Sequence, residues 1–127
     1  MLRMLRLQWV VLAAMLCLPA GAQAQTHPAV QNAQAGLAAI STAELPQEAR
    51  DTLRAIRNGG PFAYSRDGVV FSNFERILPK RRRGYYHEYT VKTPGTHGRG
   101  ARRIISGETG EYFYTADHYQ TFKRILE

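Results

Sequence analysis

Beyond residue 44 the apolar and polar positions follow two periods, and the change from one to the other separates a helix from a run of strands. Ala49, Leu53 and Ile56 recur at spacings of four and three, which sets them on a single helical stripe. Pro46 suits the first turn, where its missing N–H costs nothing, and Glu48 and Asp51 favour the positive end of the helix dipole. Asn58-Gly59-Gly60 tolerates left-handed dihedrals and ends the stripe. Asp67-Gly68 is then a turn signal leading into Val69-Val70-Phe71. Residues 85–91 are aromatic and β-branched and are closed by Pro94-Gly95. Strand-like segments follow at 102–106, 111–115 and 119–126, with turn residues around Gly107 and Gly110. A helix followed by short strands predicts a single small α+β domain, the helix packed by its stripe on a twisted antiparallel β-sheet.

The beginning of the 127-residue chain reads differently. Arg3 and Arg6 precede an apolar run at 7–18, and Ala22-Gln23-Ala24 offers small residues around a cleavage point. That is the layout of a secretory signal peptide. The run falls short of the roughly 20 apolar residues of a membrane span. The expected organisation is therefore a signal peptide at 1–24, a flexible arm rich in Ala, Gln and Asn at 25–44, and a folded domain at 45–127. The protein is expected to be secreted, to the periplasm or outside the cell, and free of the membrane once the signal is removed. Cys17, the only cysteine, goes with the signal, so a packed core rather than a disulfide must hold the mature domain.

Charge adds a hint. Lys and Arg outnumber Asp and Glu by 17 to 10, a formal net charge of +7, and such a surface attracts polyanions. Many exported proteins are basic for solubility alone, so the balance does not choose a function.

Alternation puts Tyr86, Glu88 and Thr90 on one face of their strand. Glu88 among aromatic residues reads either as a salt-bridged surface carboxylate or as a proton-transfer group. Arg99 and Arg103 share parity and project together if their strand begins early enough, with Arg102 opposite. They form either a structural ion network or a fork pair for a phosphate. His118 stands in a loop, as a surface histidine or as a proton donor of the type that works near neutral pH. His87-Glu88 has no second histidine at metal-ligand spacing and His97 stands alone, so no metal site is expected.

The order of these residues carries more than each alone. Gly60-Pro61-Phe62-Ala63-Tyr64 with Asp67-Gly68-Val69-Val70-Phe71, then Ser72-Asn73-Phe74-Glu75 with Leu78-Pro79, resemble the secreted bacterial guanyl-specific ribonucleases, the family of barnase and binase. So do Tyr85-Tyr86-His87-Glu88-Tyr89-Thr90-Val91-Lys92-Thr93-Pro94-Gly95, Arg99-Gly100-Ala101-Arg102-Arg103-Ile104-Ile105 and Tyr114-Thr115-Ala116-Asp117-His118-Tyr119-Gln120-Thr121-Phe122. The resemblance spans about 45–125 and implies the microbial ribonuclease fold. It implies Glu88 as the general base on the ribose 2′-hydroxyl, His118 as the acid on the departing 5′-oxygen, and Arg99 and Arg103 as the charges on the phosphate. The base-recognition segment would be Phe71, Ser72, Asn73, Phe74 and Glu75, with Glu75 accepting from guanine and Tyr119 stacking on or flanking the base. No metal or organic cofactor is implied.

The partners implied are single-stranded RNA and a small acidic inhibitor resembling barstar, and the default assembly is a monomer. Phe74 departs from the arginine usual there, and the connection from Gly107 to Tyr114 is slightly short. Lys80-Arg81-Arg82-Arg83 falls outside the matched motifs and reads as a solvated loop or as extra phosphate contacts. Two other functions remain open at this point. One is a non-catalytic secreted RNA-binding or cationic antibacterial protein on the same scaffold, which would be expected to have lost one of Glu88, Arg99, Arg103 and His118. The other is a ribonuclease toxin delivered to competitors.

Overall fold

The computed structural model describes residues 36–127; the signal peptide and the first part of the arm lie outside the described residues. One helix, α1 (Gln47–Asn58), lies against a six-stranded sheet made of β1 (Ala38–Ser41), β2 (Val69–Val70), β3 (Tyr86–Thr90), β4 (Arg103–Gly107), β5 (Tyr112–Thr115) and β6 (Lys123–Leu126). The order across the sheet is β1-β6-β5-β4-β3-β2.

Pro46 occupies the position before α1, and its carbonyl accepts from Ala49 and Arg50 N–H at 3.0 Å each. At the other end Gly59 takes φ 76°, a left-handed turn that suits glycine, and Gly60 N–H closes onto the Ala55 carbonyl at 2.9 Å. The apolar stripe is buried as its period predicts. Ala49 and Leu53 join Leu45, Val91, Ile104, Tyr114 and Ile125 between helix and sheet, with Ile56 packed at the margin.

The sheet is antiparallel except at one edge. β1 runs parallel to β6, with Ala38 opposite Lys123 and Ile40 opposite Ile125. This corrects the reading of 25–44 as a flexible arm, at least for its last residues: Ala38–Ser41 is a strand and Thr42–Glu44 a 3-10 turn. The segment shows too little alternation to announce itself, because only Leu37 and Ile40 contribute apolar bulk, one to each face. Its partner strand supplies the order, and Thr42 Oγ1 ties it down by donating to the Leu126 carbonyl at 3.0 Å. The Ser41 backbone N–H and hydroxyl both donate to Glu44 Oε2, at 2.9 and 2.8 Å.

The register decides which residues face away from the helix. Glu88 pairs with Ile105 and Ile105 with Phe113; Thr90 pairs with Arg103 and Arg103 with Thr115. Ile105 and Phe113 belong to a second cluster with Leu78, Tyr85, Tyr86 and Phe122, so Glu88 and Arg103 stand on the face opposite α1. Arg102 points the other way, 4.0 Å from Glu48 on the helix, as its parity predicts.

The cluster between helix and sheet contains none of the candidate site residues. Leu53→Ala removes a side chain that is 1% exposed and should cost about 2–5 kcal/mol. Urea unfolding checks this as a lower midpoint at unchanged slope. No activity should be lost while the variant is folded.

Candidate active site

Glu88 is 6% exposed, and its carboxylate is surrounded by donors. Arg99 Nη2 donates to Oε1 at 3.3 Å, and Arg66 Nε lies 3.9 Å from the same oxygen. The Tyr119 hydroxyl donates to Oε2 at 2.8 Å. That hydroxyl in turn accepts from Arg103 Nε at 3.1 Å. Arg103, 3% exposed, is fixed through Nη1 to the carbonyls of Gly100 and Arg102 at 2.9 and 2.7 Å. A buried guanidinium anchored along one edge presents its remaining N–H groups in a set direction.

The predicted four residues do not all meet for the predicted reason. β4 starts at Arg103, so Arg99 is not on the strand and its parity is irrelevant. It comes in from the preceding loop, where Arg99 Nε donates to Thr90 Oγ1 at 3.0 Å. Thr90 is two residues from Glu88 on the same face, and holding Arg99 there delivers the second guanidinium nitrogen to the carboxylate.

His118 reaches the site on strained backbone. His118 and Tyr119 both take positive φ, 55° and 69°, a conformation that costs non-glycine residues free energy and persists only where the surroundings enforce it. Those surroundings are visible. His118 N–H donates to the Ala101 carbonyl at 3.1 Å, and Tyr119 N–H to Thr115 Oγ1 at 3.1 Å. Asp117 closes the turn by accepting from Thr115 Oγ1 and Thr121 N–H, both at 2.9 Å, and from the Thr121 hydroxyl. The His118 and Tyr119 rings sit 4.8 Å apart between centroids, so Tyr119 links the histidine to the carboxylate. Burial first, then the bond to Glu88 and its charge, push the Tyr119 phenol above its usual value, which keeps it a proton-bearing donor.

Beside this network opens a cleft of about 530 Å³ lined by Phe71, Ser72, Asn73, Phe74, Glu75 and Ile77 on one side and His118, Tyr119, Gln120 and Phe122 on the other. All of the predicted base-recognition residues line it. The Phe71 and Tyr119 rings stack at 5.2 Å and 23° to form its floor. Asn73 and Arg76 take φ 52° and 55°. The Asn73 carboxamide closes the loop on itself, donating to the Leu78 carbonyl at 2.9 Å and accepting from Leu78 N–H at 3.2 Å. Its side chain is thereby committed to shaping the loop. The Glu75 carboxylate, in contrast, is exposed and makes no ion pair with Arg76 or any other described residue.

A family model described as ribonuclease matches residues 28–126. The chain is 55% identical over 91 residues to guanyl-specific ribonuclease St of Saccharopolyspora erythraea, covering 72% of this chain and 90% of that protein. The chain belongs to the microbial guanyl-specific ribonucleases. It is also 59% identical over 87 residues to guanyl-specific ribonuclease Sa of Kitasatospora aureofaciens, which spans 68% of this chain and 91% of that one. Among solved structures, that of ribonuclease Sa2 in complexes with mononucleotides superposes with a TM-score of 0.72 at 50% identity, over 72% of this chain and 96% of that chain.

Within this ribonuclease frame, sequence reasoning missed three contributors. Arg66 sits in the turn before β2, and the pairing of Val69 with Glu88 brings that turn beside the carboxylate. Thr90 shares the parity of Glu88 but was not singled out as the prop for Arg99. The Tyr119 hydroxyl works in the carboxylate network, whereas the sequence pointed only to its ring. None carries a local signal, because each role depends on register and loop closure.

Asp117 gives a pH-dependent test of the strained turn. Its carboxyl is held at about 2, chiefly by the Thr121 hydroxyl and the Thr121 N–H, against about 3.9 for a free aspartate. A depressed folded-state value stabilises the protein above the unfolded-state value, and the gain is lost as pH falls through the folded-state value. Asp117→Ala should therefore melt at a lower temperature than the parent at pH 5–7, and the two should converge near pH 2. Thermal melts at several pH values check this; a gap that persists at pH 2 would remove the ionised carboxylate from the account.

Proposed function

We propose that the protein is a secreted guanyl-specific endoribonuclease that cuts single-stranded RNA on the 3′ side of guanosine. The observation that carries this is the joining of two sites by one residue: the Tyr119 ring lines the base cleft while its hydroxyl bonds Glu88 and Arg103. A base seated against the 71–75 loop brings its own 3′-phosphate toward the arginines.

Glu88 takes the proton from the 2′-hydroxyl, and that oxygen attacks the adjacent phosphorus. His118 protonates the 5′-oxygen as its bond to phosphorus breaks, leaving a 2′,3′-cyclic phosphate. In the second step the roles exchange: His118 takes a proton from water, the hydroxide opens the ring, and Glu88 returns a proton to the 2′-oxygen. Arg99 and Arg103 stabilise the charge that builds on the phosphoryl oxygens. A base and an acid acting together give a bell-shaped pH dependence. DNA lacks the nucleophile and is not cut.

The purified mature protein, given GpC and ApC in the presence of EDTA, should release guanosine 2′,3′-cyclic phosphate from the first and react far more slowly with the second. Equal cleavage would remove the base preference. Folded protein that cuts neither would favour the non-catalytic RNA-binding reading. The signal-peptide layout at 1–24 supports export, and no helix among the described residues is long and apolar enough to cross a membrane. The basic balance of the chain suits a small acidic inhibitor of the barstar type covering the cleft.

A further inference from the structure

The base-recognition loop has a second concave side. Phe71, Ser72 and Asn73 separate the base cleft from another cavity of about 450 Å³. Arg76, Lys80, Arg81, Arg82 and Arg83 line it, and no carboxylate does. Among the described residues Arg82 is paired, with both oxygens of Glu108 at 2.6 and 2.7 Å, and the Glu111 carboxylate lies near enough to Arg81 to feel its charge. Arg76, Lys80, Arg81 and Arg83 make no ion pair among the described residues. Arg81 lies over the Tyr85 ring at 5.2 Å, and its Nε is buried without a hydrogen-bond partner among the described residues. Gathering like charges in a hollow costs free energy, and an anion in the hollow relieves it.

The run is also held in shape, unlike a freely solvated loop. The Tyr86 hydroxyl donates to the Pro79 carbonyl at 2.7 Å before it, and Tyr85 N–H donates to the Arg82 carbonyl at 3.2 Å within it. The Arg82–Glu108 pair ties its middle to the turn after β4.

Position decides which anion. Tyr86 lines this cavity and stands two residues from Glu88 on the same face of β3, roughly 6–7 Å along the strand. The cavity therefore adjoins the Glu88 carboxylate on the same face of the sheet, within reach of a neighbouring phosphate of the same RNA strand. His118, which serves the leaving 5′-oxygen, lines the base cleft and not this cavity. The chain downstream of the cut thus departs past His118, and the chain upstream of the guanosine runs the other way.

We propose that Arg76, Lys80, Arg81 and Arg83 form a second phosphate subsite, which takes the RNA backbone phosphate on the 5′ side of the guanosine. The subsite rests on the ribonuclease reading and makes an internal guanosine a better substrate than a 5′-terminal one.

The test is the ratio of kcat/KM for CpGpC to that for GpC, and of GpCpC to GpC, in the parent and in Lys80→Gln/Arg83→Gln. In the parent, CpGpC should exceed GpC by about tenfold, the scale of one charge-assisted contact at a half-open site. The double variant should bring that ratio close to one and leave the GpCpC ratio in place. Its CpGpC salt slope should be shallower by about 0.7, the value of one single-strand phosphate contact. A CpGpC ratio near one in the parent, or an unchanged ratio in the variant, overturns the subsite. Collapse of the GpCpC ratio instead overturns its assignment to the upstream side. The 2′-deoxyguanosine analogues of CpGpC and GpC, which lack the nucleophile, read the same increment as binding by calorimetry. Failure of cleavage and failure of the subsite are thereby distinguishable.

Discussion

Glu88→Gln should lower kcat/KM on GpC by about 10²–10⁴-fold, the range spanned by a positioned general base. Glutamine keeps the shape and one acceptor, so the Tyr119 hydroxyl still has an oxygen to donate to. It cannot take a proton from the 2′-hydroxyl. The substitution also removes the only carboxylate that pairs with Arg99 and Arg66 among the described residues, leaving positive charge near the buried Arg103 without its counterion. Some loss of stability is therefore expected as well, and it must be separated from lost chemistry. Two measurements do so. The thermal melt fixes a temperature at which the variant is folded, and binding of guanosine 3′-monophosphate reports that the base cleft and arginines are still assembled. With both intact, the rate of cyclic-phosphate formation reads the base alone, and the limb of the pH profile that belongs to the base should disappear. Cleavage within tenfold of the parent would return Glu88 to an ion-pair role.

What the chain discloses before folding follows from how local each feature is. The stripe Ala49, Leu53, Ile56 and the stop at Gly59 are local, and both are found where the spacing puts them. Alternation placed Glu88 and Thr90 on one face because β3 is long enough to show its period. β1 is the opposite case: four residues, half of them alanine, become a strand only against β6 at the far end of the domain. The site divides in the same way. Glu88 and Arg103 stand on strands and are legible through register. Arg99 and His118 are on loops, and what aims them is the Thr90 hydroxyl in one case and paired left-handed residues propped by Asp117 and Thr115 in the other. Motif order pointed to residues that the fold gathers around Tyr119, without the reasons. Tyr119 shows the difference most clearly, since its ring was expected at the base and its hydroxyl lies against the Glu88 carboxylate.

Glu75→Gln should cut kcat/KM on GpC by about 10²–10³-fold, the worth of two hydrogen bonds to a charged acceptor, and should change ApC little. The argument is one of matching edges. Guanine offers an N1–H and an amine on one edge, two donors for the two oxygens of a carboxylate. Glutamine meets them with one acceptor and one donor, so a bond is lost and a donor is set against a donor. Adenine carries an acceptor at N1 and leaves a carboxylate oxygen facing a lone pair, which the parent site rejects and the variant tolerates slightly better. A site built to pair such groups discriminates by about 10⁴–10⁵, and the ratio of GpC to ApC should collapse by at least the GpC loss. Glu75 is suited to this because it makes no ion pair among the described residues, while Asn73 on the same loop is spent on closing it. Phe74, 85% exposed on the same loop, has no polar group with which to read an edge, so it cannot substitute for the carboxylate. Single-turnover rates on both dinucleotides decide the matter. A GpC to ApC ratio that survives Glu75→Gln would assign base reading to the backbone of the 71–75 loop and leave Glu75 a surface carboxylate.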